Sequence, residues 1–231
     1  MKNIILVHGM NATSASWNTI PASLEAAGNN VANIQLPGHD RPLDIWSLLL
    51  SGAYSADFGM DAYVSEVVNA FPEAADQKVI LIGHSMGGAV ISHAAAQFPE
   101  RIESLIYVTA MLPDQGQSAR DIIELARNDP TFSKEGFLGD YWQHLRKLKF
   151  VQQPSEPLSE AFTRGPEFNS LKRAYIRCTG DDVIPLNVQN AMIAAYAGSI
   201  PATEVKTLDQ SHLPQYDNPK ELYSTINRLI R

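Results

Sequence analysis

KVILIGHSMGGAVISHAAAQFP, residues 78–99, sets one serine between two glycines, at the point where a β-branched apolar run gives way to an alanine-rich helical one. Gly83-His84-Ser85-Met86-Gly87 fits the pattern G-x-S-x-G, and it stands at the end of an expected strand and the start of an expected helix, as that motif requires. Turning abruptly from strand to helix forces the serine into a strained backbone conformation. Side chains two residues to either side would collide there, so glycine is used at both places. Gly88 then lets the helix pack closely on the sheet. The turn pushes the Ser85 hydroxyl out at the top of the sheet, where a base can reach it and the helix N-terminus adds positive potential.

Short apolar runs recur on both sides of this turn: residues 4–7, 31–36, 79–83, 104–110, 174–180 and 203–208. Their continuous apolar character suits strands of a mostly parallel sheet covered on both faces. The periodic stretches Trp17–Ala27, Asp61–Phe71, Ser85–Phe98, Leu186–Tyr196 and Pro219–Ile230 supply the covering helices. Asp61 is placed to cap its helix, and Gly28 follows its helix as a C-terminal glycine would. The fold class is therefore α/β.

The chain has 231 residues, 45% of them apolar and 19% charged, which fits a single globular α/β domain over 1–231. Between the strands at 104–110 and 174–180 the rhythm breaks, with prolines at 113, 130, 154, 157 and 166 and the aromatics Phe132, Phe137, Tyr141, Trp142, Phe150 and Phe162 among its residues. A connection this long calls for an insertion with its own helices, over about 112–172, which can serve as a lid.

A net charge of −7 argues against a nucleic-acid backbone or an anionic membrane surface as the main partner. The one cysteine, Cys178, excludes an intramolecular disulfide, and the N-terminal apolar run is too short for a secretory leader or a membrane span, so a cytoplasmic location is expected. No clustered metal-ligand spacing, GxGxxG fingerprint or phosphate-binding loop is present, and no cofactor or metal is expected.

A serine hydroxyl is a weak nucleophile. It needs a histidine to take its proton and a carboxylate to hold the imidazole. Those partners are expected after the last two strands, in TGDDVIP (179–185) and DQSHLPQYDNP (209–219). His212 follows a strand and precedes the last helix, and is the best candidate base. His8 and His84 sit in turns beside the site, while His39, His93 and His144 lie outside the expected geometry. Asp181 and Asp182 compete for the third role, with Asp114 as a further candidate; Asp181 comes first out of its strand and is favoured.

An oxyanion intermediate needs backbone donors, for which the N–H of Met86 and the N–H of Met10 are placed, with Gly9 allowing close approach of the backbone. Gly9, Trp17, Leu213 and Trp142 are candidate substrate contacts, with Phe137 and Tyr141 beside them. Core packing is the commoner role for such aromatics. Cys178, on a strand, is expected to be a small buried apolar residue.

The segments LVHGMNATSASW, GHSMGGAVISHAAAQFPERIESLIYVTAMLPD, YIRCTGDDVIPLNVQNAMI and DQSHLPQYDNPKEL resemble the α/β-hydrolase superfamily. More narrowly, they resemble the branch holding plant methyl esterases, hydroxynitrile lyases and related bacterial esterases. The resemblance covers most of the chain outside 115–172, and it implies Asp181 as the acid, in the family's T-x-D-x-x-I-P pattern. Cyanide-releasing members carry a threonine and a lysine where this chain has Gly9 and Leu213, so the resemblance favours the esterases. The reaction it implies is hydrolysis of small to medium apolar carboxylic esters through an acyl-enzyme. The alternatives are an amide, a lactone or a carbon–carbon bond as substrate, or a noncatalytic small-molecule sensor.

Overall fold

The computed structural model describes residues 1–42, 53–132 and 151–231. Six parallel strands form the central sheet: β1 (Asn3–Val7), β2 (Asn30–Asn33), β4 (Val79–His84), β5 (Ile102–Val108), β7 (Lys172–Cys178) and β8 (Glu204–Leu208), in the order β2-β1-β4-β5-β7-β8. A separate pair, β3 (Ala53–Tyr54) and β6 (Gln153–Pro154), also runs parallel. The chain passes from β1 outward to the β2 edge and then returns to β4 on the other side of β1. Loops leaving the carboxyl ends of β1 and β4 therefore diverge around a crevice, where open α/β sheets place their ligands.

Alternation along the strands divides the core in two. Ile5, Val7, Leu81, Leu105 and Tyr107 face one layer, with helices α2 (Met60–Asn69), α3 (Gly87–Gln97) and α6 (Leu186–Ala194) over them. Ile4, Leu6, Ile80, Ile82 and Ile106 face the other, under α1 (Ile20–Ala26) and α8 (Pro219–Leu229). Every residue of β4 is buried, as a central parallel strand requires.

Local chemistry explains where the elements depart from expectation. The segment expected as a helix over 17–27 breaks into a 3-10 turn, Ser14–Trp17, and α1. Asn18 takes φ 54°, and Pro21 sits in the first turn of the helix, where its missing N–H costs nothing. The strand expected over 31–36 ends at Asn33, because the Leu36 N–H turns away to His8 Nε2 (3.1 Å) and the Gln35 carboxamide to the Ser14 N–H (2.9 Å). The cap of α2 is Gly59 rather than Asp61, which lies in the first turn, where a carboxylate still meets the positive helix end.

Helices α4 (Ala119–Asn128) and α5 (Pro166–Asn169) send Ala119, Ile122 and Phe168 into the same buried layer as α3, together with Leu158 and Phe162. Ser118 starts α4 with a reciprocal capping box: its hydroxyl accepts the Asp121 N–H (3.2 Å) while Asp121 accepts the Ser118 N–H (2.7 Å). Residues 151 and 152 are fastened to the β1 loop and to Arg41. The Val151 N–H donates to Asn11 O (3.1 Å) and Asn11 Nδ2 to Val151 O (2.9 Å), while the Gln152 N–H reaches Arg41 O (2.8 Å). Trp142, Phe137, Tyr141 and His144 lie outside the described residues. Among the described residues no helix is long and apolar enough to cross a membrane.

Candidate active site

At the carboxyl end of β4 the chain turns through Ser85 with φ 53°, a left-handed conformation that costs a non-glycine residue roughly 1–3 kcal/mol. The flanking glycines make this turn sterically possible. A Cβ on Gly83 would lie 2.5 Å from Gly87 O, and one on Gly87 would lie 2.3 Å from Val7 O. Gly88 presses against the loop after β5, where a Cβ would meet Met111 O at 2.3 Å. The Ser85 carbonyl is held by the Met111 and Gly88 amides at 2.9 and 3.0 Å.

The loops after β7 and β8 are joined before they deliver their side chains. The Thr179 N–H donates to Leu208 O and the Gly180 N–H to Gln210 O, both at 3.0 Å. Gln189, fully buried on α6, clamps the base of this turn through the N–H and O of Cys178 (both 3.0 Å) and Ile184 O (2.8 Å). Asp181 and His212 thereby face each other, with His212 Nδ1 2.8 Å from Asp181 Oδ2 and His212 Nε2 2.9 Å from Ser85 Oγ. The buried carboxylate is an acceptor, so Nδ1 carries the proton and Nε2 presents its lone pair to the serine hydroxyl. Asp181 Oδ1 accepts the Val183 and Ile184 N–H groups at 2.8 Å each, and Oδ2 also accepts the Thr109 hydroxyl.

The other carboxylates are placed elsewhere. Asp114 pairs with Arg164 (2.8 Å). Asp182 is partly exposed, and it does not cap α6, which begins after Pro185.

Gly9 follows β1 beside Ser85. A Cβ there would lie 2.8 Å from Ser85 Cβ and 3.2 Å from His84 Nδ1, so any side chain must displace the serine. Among the described residues the Met10 and Met86 N–H groups have no acceptor within the protein. Leu213 and Met10 are half-buried next to the histidine and the β1 loop.

Trp17, expected as a substrate contact, is instead a core residue. It is 1% exposed and packs with Ile4, Leu6, Ile20 and Leu24 under the sheet, with its ring edge-on to His84 (6.1 Å). The 3-10 turn Ser14–Trp17 delivers it to the layer under α1 and α8.

Sequence reasoning assigned no role to His84, Gln189 or Thr109. His84 donates Nε2–H to the main-chain O of His212 (2.8 Å), with the two rings 4.9 Å apart. Burial, with the nearby His212 as the lesser cause, pushes His84 down to about 3. Burial likewise lowers His8 to about 3, and His39 and His93 to about 4. His8 Nε2 accepts the Leu36 N–H, and His39 bridges Ala12 O (2.9 Å) and the Tyr63 hydroxyl (2.8 Å), so both neutral rings brace the β1 loop.

These four histidines bear on stability. Each is neutral when folded at a pH where the unfolded chain, with an ordinary value of 6.5, would bind a proton. Their stabilising effect is complete above about pH 6.5 and is lost as the pH falls toward 4, by up to about 1.4 kcal/mol per pH unit for each ring. Urea unfolding midpoints should therefore drop steeply from pH 7 to pH 5. A midpoint constant over that interval would contradict this assignment.

The model of the alpha/beta hydrolase family matches residues 4–225. A pyrethroid hydrolase of Sphingobium wenxiniae is 31% identical over 97% of this chain and 86% of its own length. Methylesterase 3 of Arabidopsis thaliana is 25% identical over 97% of this chain and 94% of its own length. Among solved structures, a pyrethroid hydrolase from Sphingobium faniae JZ-2 superposes with a TM-score of 0.80 at 26% identity, covering 99% of this chain and 96% of that one. With the parallel sheet, the strained serine at the end of β4 and this match over nearly the whole length, the chain belongs to the alpha/beta hydrolase family.

Proposed function

We propose that the protein is a serine esterase that hydrolyses small to medium, largely apolar carboxylic esters, with Ser85, His212 and Asp181 as its catalytic triad. One observation carries this reading: the unbroken line from Ser85 Oγ to His212 Nε2 (2.9 Å) and from His212 Nδ1 to Asp181 Oδ2 (2.8 Å). The methylesterase and pyrethroid hydrolase relatives support the ester as substrate class. They do not carry over their own substrates.

In this mechanism Ser85 Oγ attacks the ester carbonyl while its proton passes to His212 Nε2. Asp181 stabilises the resulting imidazolium through Nδ1–H without taking the proton. The carbonyl oxygen becomes an oxyanion held by the Met10 and Met86 amides, the second of which opens α3 and adds the positive end of that helix. His212 returns the proton to the leaving alkoxide, and an alcohol departs from an acyl-Ser85. A water then gives its proton to His212 and attacks the acyl carbonyl, and collapse of the second intermediate frees the acid and restores the serine. Gly9 leaves room for the carbonyl beside Ser85, and Leu213 and Met10 supply apolar surface for the acyl side.

A panel of esters graded in acyl length, run beside matched amides and lactones, tests the substrate class. Saturable turnover of short apolar esters, with amides far slower, is expected. Folded protein that turns over no ester in the panel would remove this reading.

A further inference from the structure

The first residue after β5 holds a strained backbone conformation. Thr109 is fully buried and takes φ 37°, the left-handed region that a β-branched side chain avoids most strongly. Its N–H still pairs with Ile176 O on β7 (2.8 Å). Glycine would hold this conformation without strain. What glycine cannot supply is the hydroxyl, which donates to Asp181 Oδ2, the oxygen that also receives His212 Nδ1–H.

The Asp181 side chain is wholly buried and has four donors. Two are main-chain amides fixed by the turn, one is the imidazole, and the fourth is Thr109. A buried carboxylate stays ionised only if its lone pairs are satisfied. The two amides fix Oδ1, and Thr109 is the second donor, beside the imidazole, on Oδ2. We propose that Thr109 is a positioning residue of the triad, held in a strained backbone conformation so that its hydroxyl fixes Asp181 Oδ2 in the line of His212 Nδ1. The inference rests on the triad assignment above and adds a residue that touches neither substrate nor reacting atoms.

Removing the hydroxyl leaves a carboxylate with one donor fewer, which rotates more freely and holds the imidazolium proton more tightly. The groups facing the pair are few. His84, from the β4 turn, stays neutral because burial holds it down, while Tyr175 and Cys178, on β7, stay neutral because burial pushes them up. Asp217, from the short helix after His212, is occupied by the Ser211 N–H (2.7 Å). The acid limb of the kcat/KM profile thus reports the His212–Asp181 pair.

Thr109→Val keeps the shape and deletes the donor, Thr109→Ser restores the donor, and Thr109→Gly deletes it while relieving the strain. With a short p-nitrophenyl ester, Val and Gly should lower kcat about 10- to 100-fold, the size of one charge-assisted hydrogen bond. KM should change little, the acid limb should move to higher pH, and Ser should recover most of the loss. Thr109→Gly keeps the test decisive should Thr109→Val fail to fold, because glycine takes φ 37° freely. Folded Val or Gly protein with wild-type kcat and an unmoved acid limb would overturn the proposal, as would Ser performing no better than Val. Failure here is separable from failure of the triad: an inactive Ser85→Ala beside a fully active Thr109→Gly removes only the role of Thr109, whereas an active Ser85→Ala removes both.

Discussion

Ser85→Ala should lower kcat on a p-nitrophenyl ester by about 10^4- to 10^6-fold while the protein stays folded. The size follows from what the hydroxyl alone contributes. Without Oγ there is no acyl-enzyme, and His212 can only activate water across a gap shaped for a serine. In the proposed mechanism the Met10 and Met86 amides would still polarise a bound carbonyl, so a residual rate above the uncatalysed one is expected rather than none. The fold should gain slightly, since alanine keeps the φ 53° conformation but no longer holds a buried hydroxyl beside the imidazole. A rate close to wild type in the purified variant would place the chemistry elsewhere.

Asp181→Asn is the more instructive loss, with an expected fall in kcat of about 10^4-fold at nearly unchanged structure. Asparagine must present its carbonyl to one set of donors and its NH2 to the other. The Val183 and Ile184 amides are fixed in the turn, each 2.8 Å from Oδ1, and turning the NH2 toward them would leave two main-chain donors unpaired in a buried site. The carbonyl therefore stays with the amides, and the NH2 faces Thr109 and His212 Nδ1. The threonine hydroxyl can rotate to accept. The imidazole can accept only by moving its proton to Nε2, which then points at Ser85 and can no longer take the serine's proton. Near-normal kcat in Asp181→Asn, with the fold verified by its unfolding midpoint, would show that the carboxylate does not set the tautomer.

Much of this arrangement was legible in residues 78–99, because a strand, a serine flanked by glycines and a helix must turn in one way whatever surrounds them. The order Ser85, Asp181, His212 along the chain then located the partners, since each follows an apolar run that a parallel sheet lays beside the last. What was not legible depends on contacts through space. Nothing in Val108-Thr109-Ala110 marks a hydroxyl that reaches 72 positions along the chain to Asp181. Trp17 could not be assigned to a layer, because the alternation that sorts strand residues does not extend into a 3-10 turn. Phe162 reads as an insertion aromatic, yet it meets Phe168 edge-on at 5.2 Å inside the main core. The capping box at Ser118 was overlooked because aspartate, rather than glutamate or glutamine, closes it.

The most direct test is intact mass and peptide mapping after treatment with a fluorophosphonate. One adduct per chain, on Ser85, is expected in the wild type, with labelling at least about a hundredfold slower in His212→Ala, where no base takes the serine's proton. An unlabelled Ser85 in folded, ester-hydrolysing protein, or equal labelling with and without the imidazole of His212, would contradict the triad.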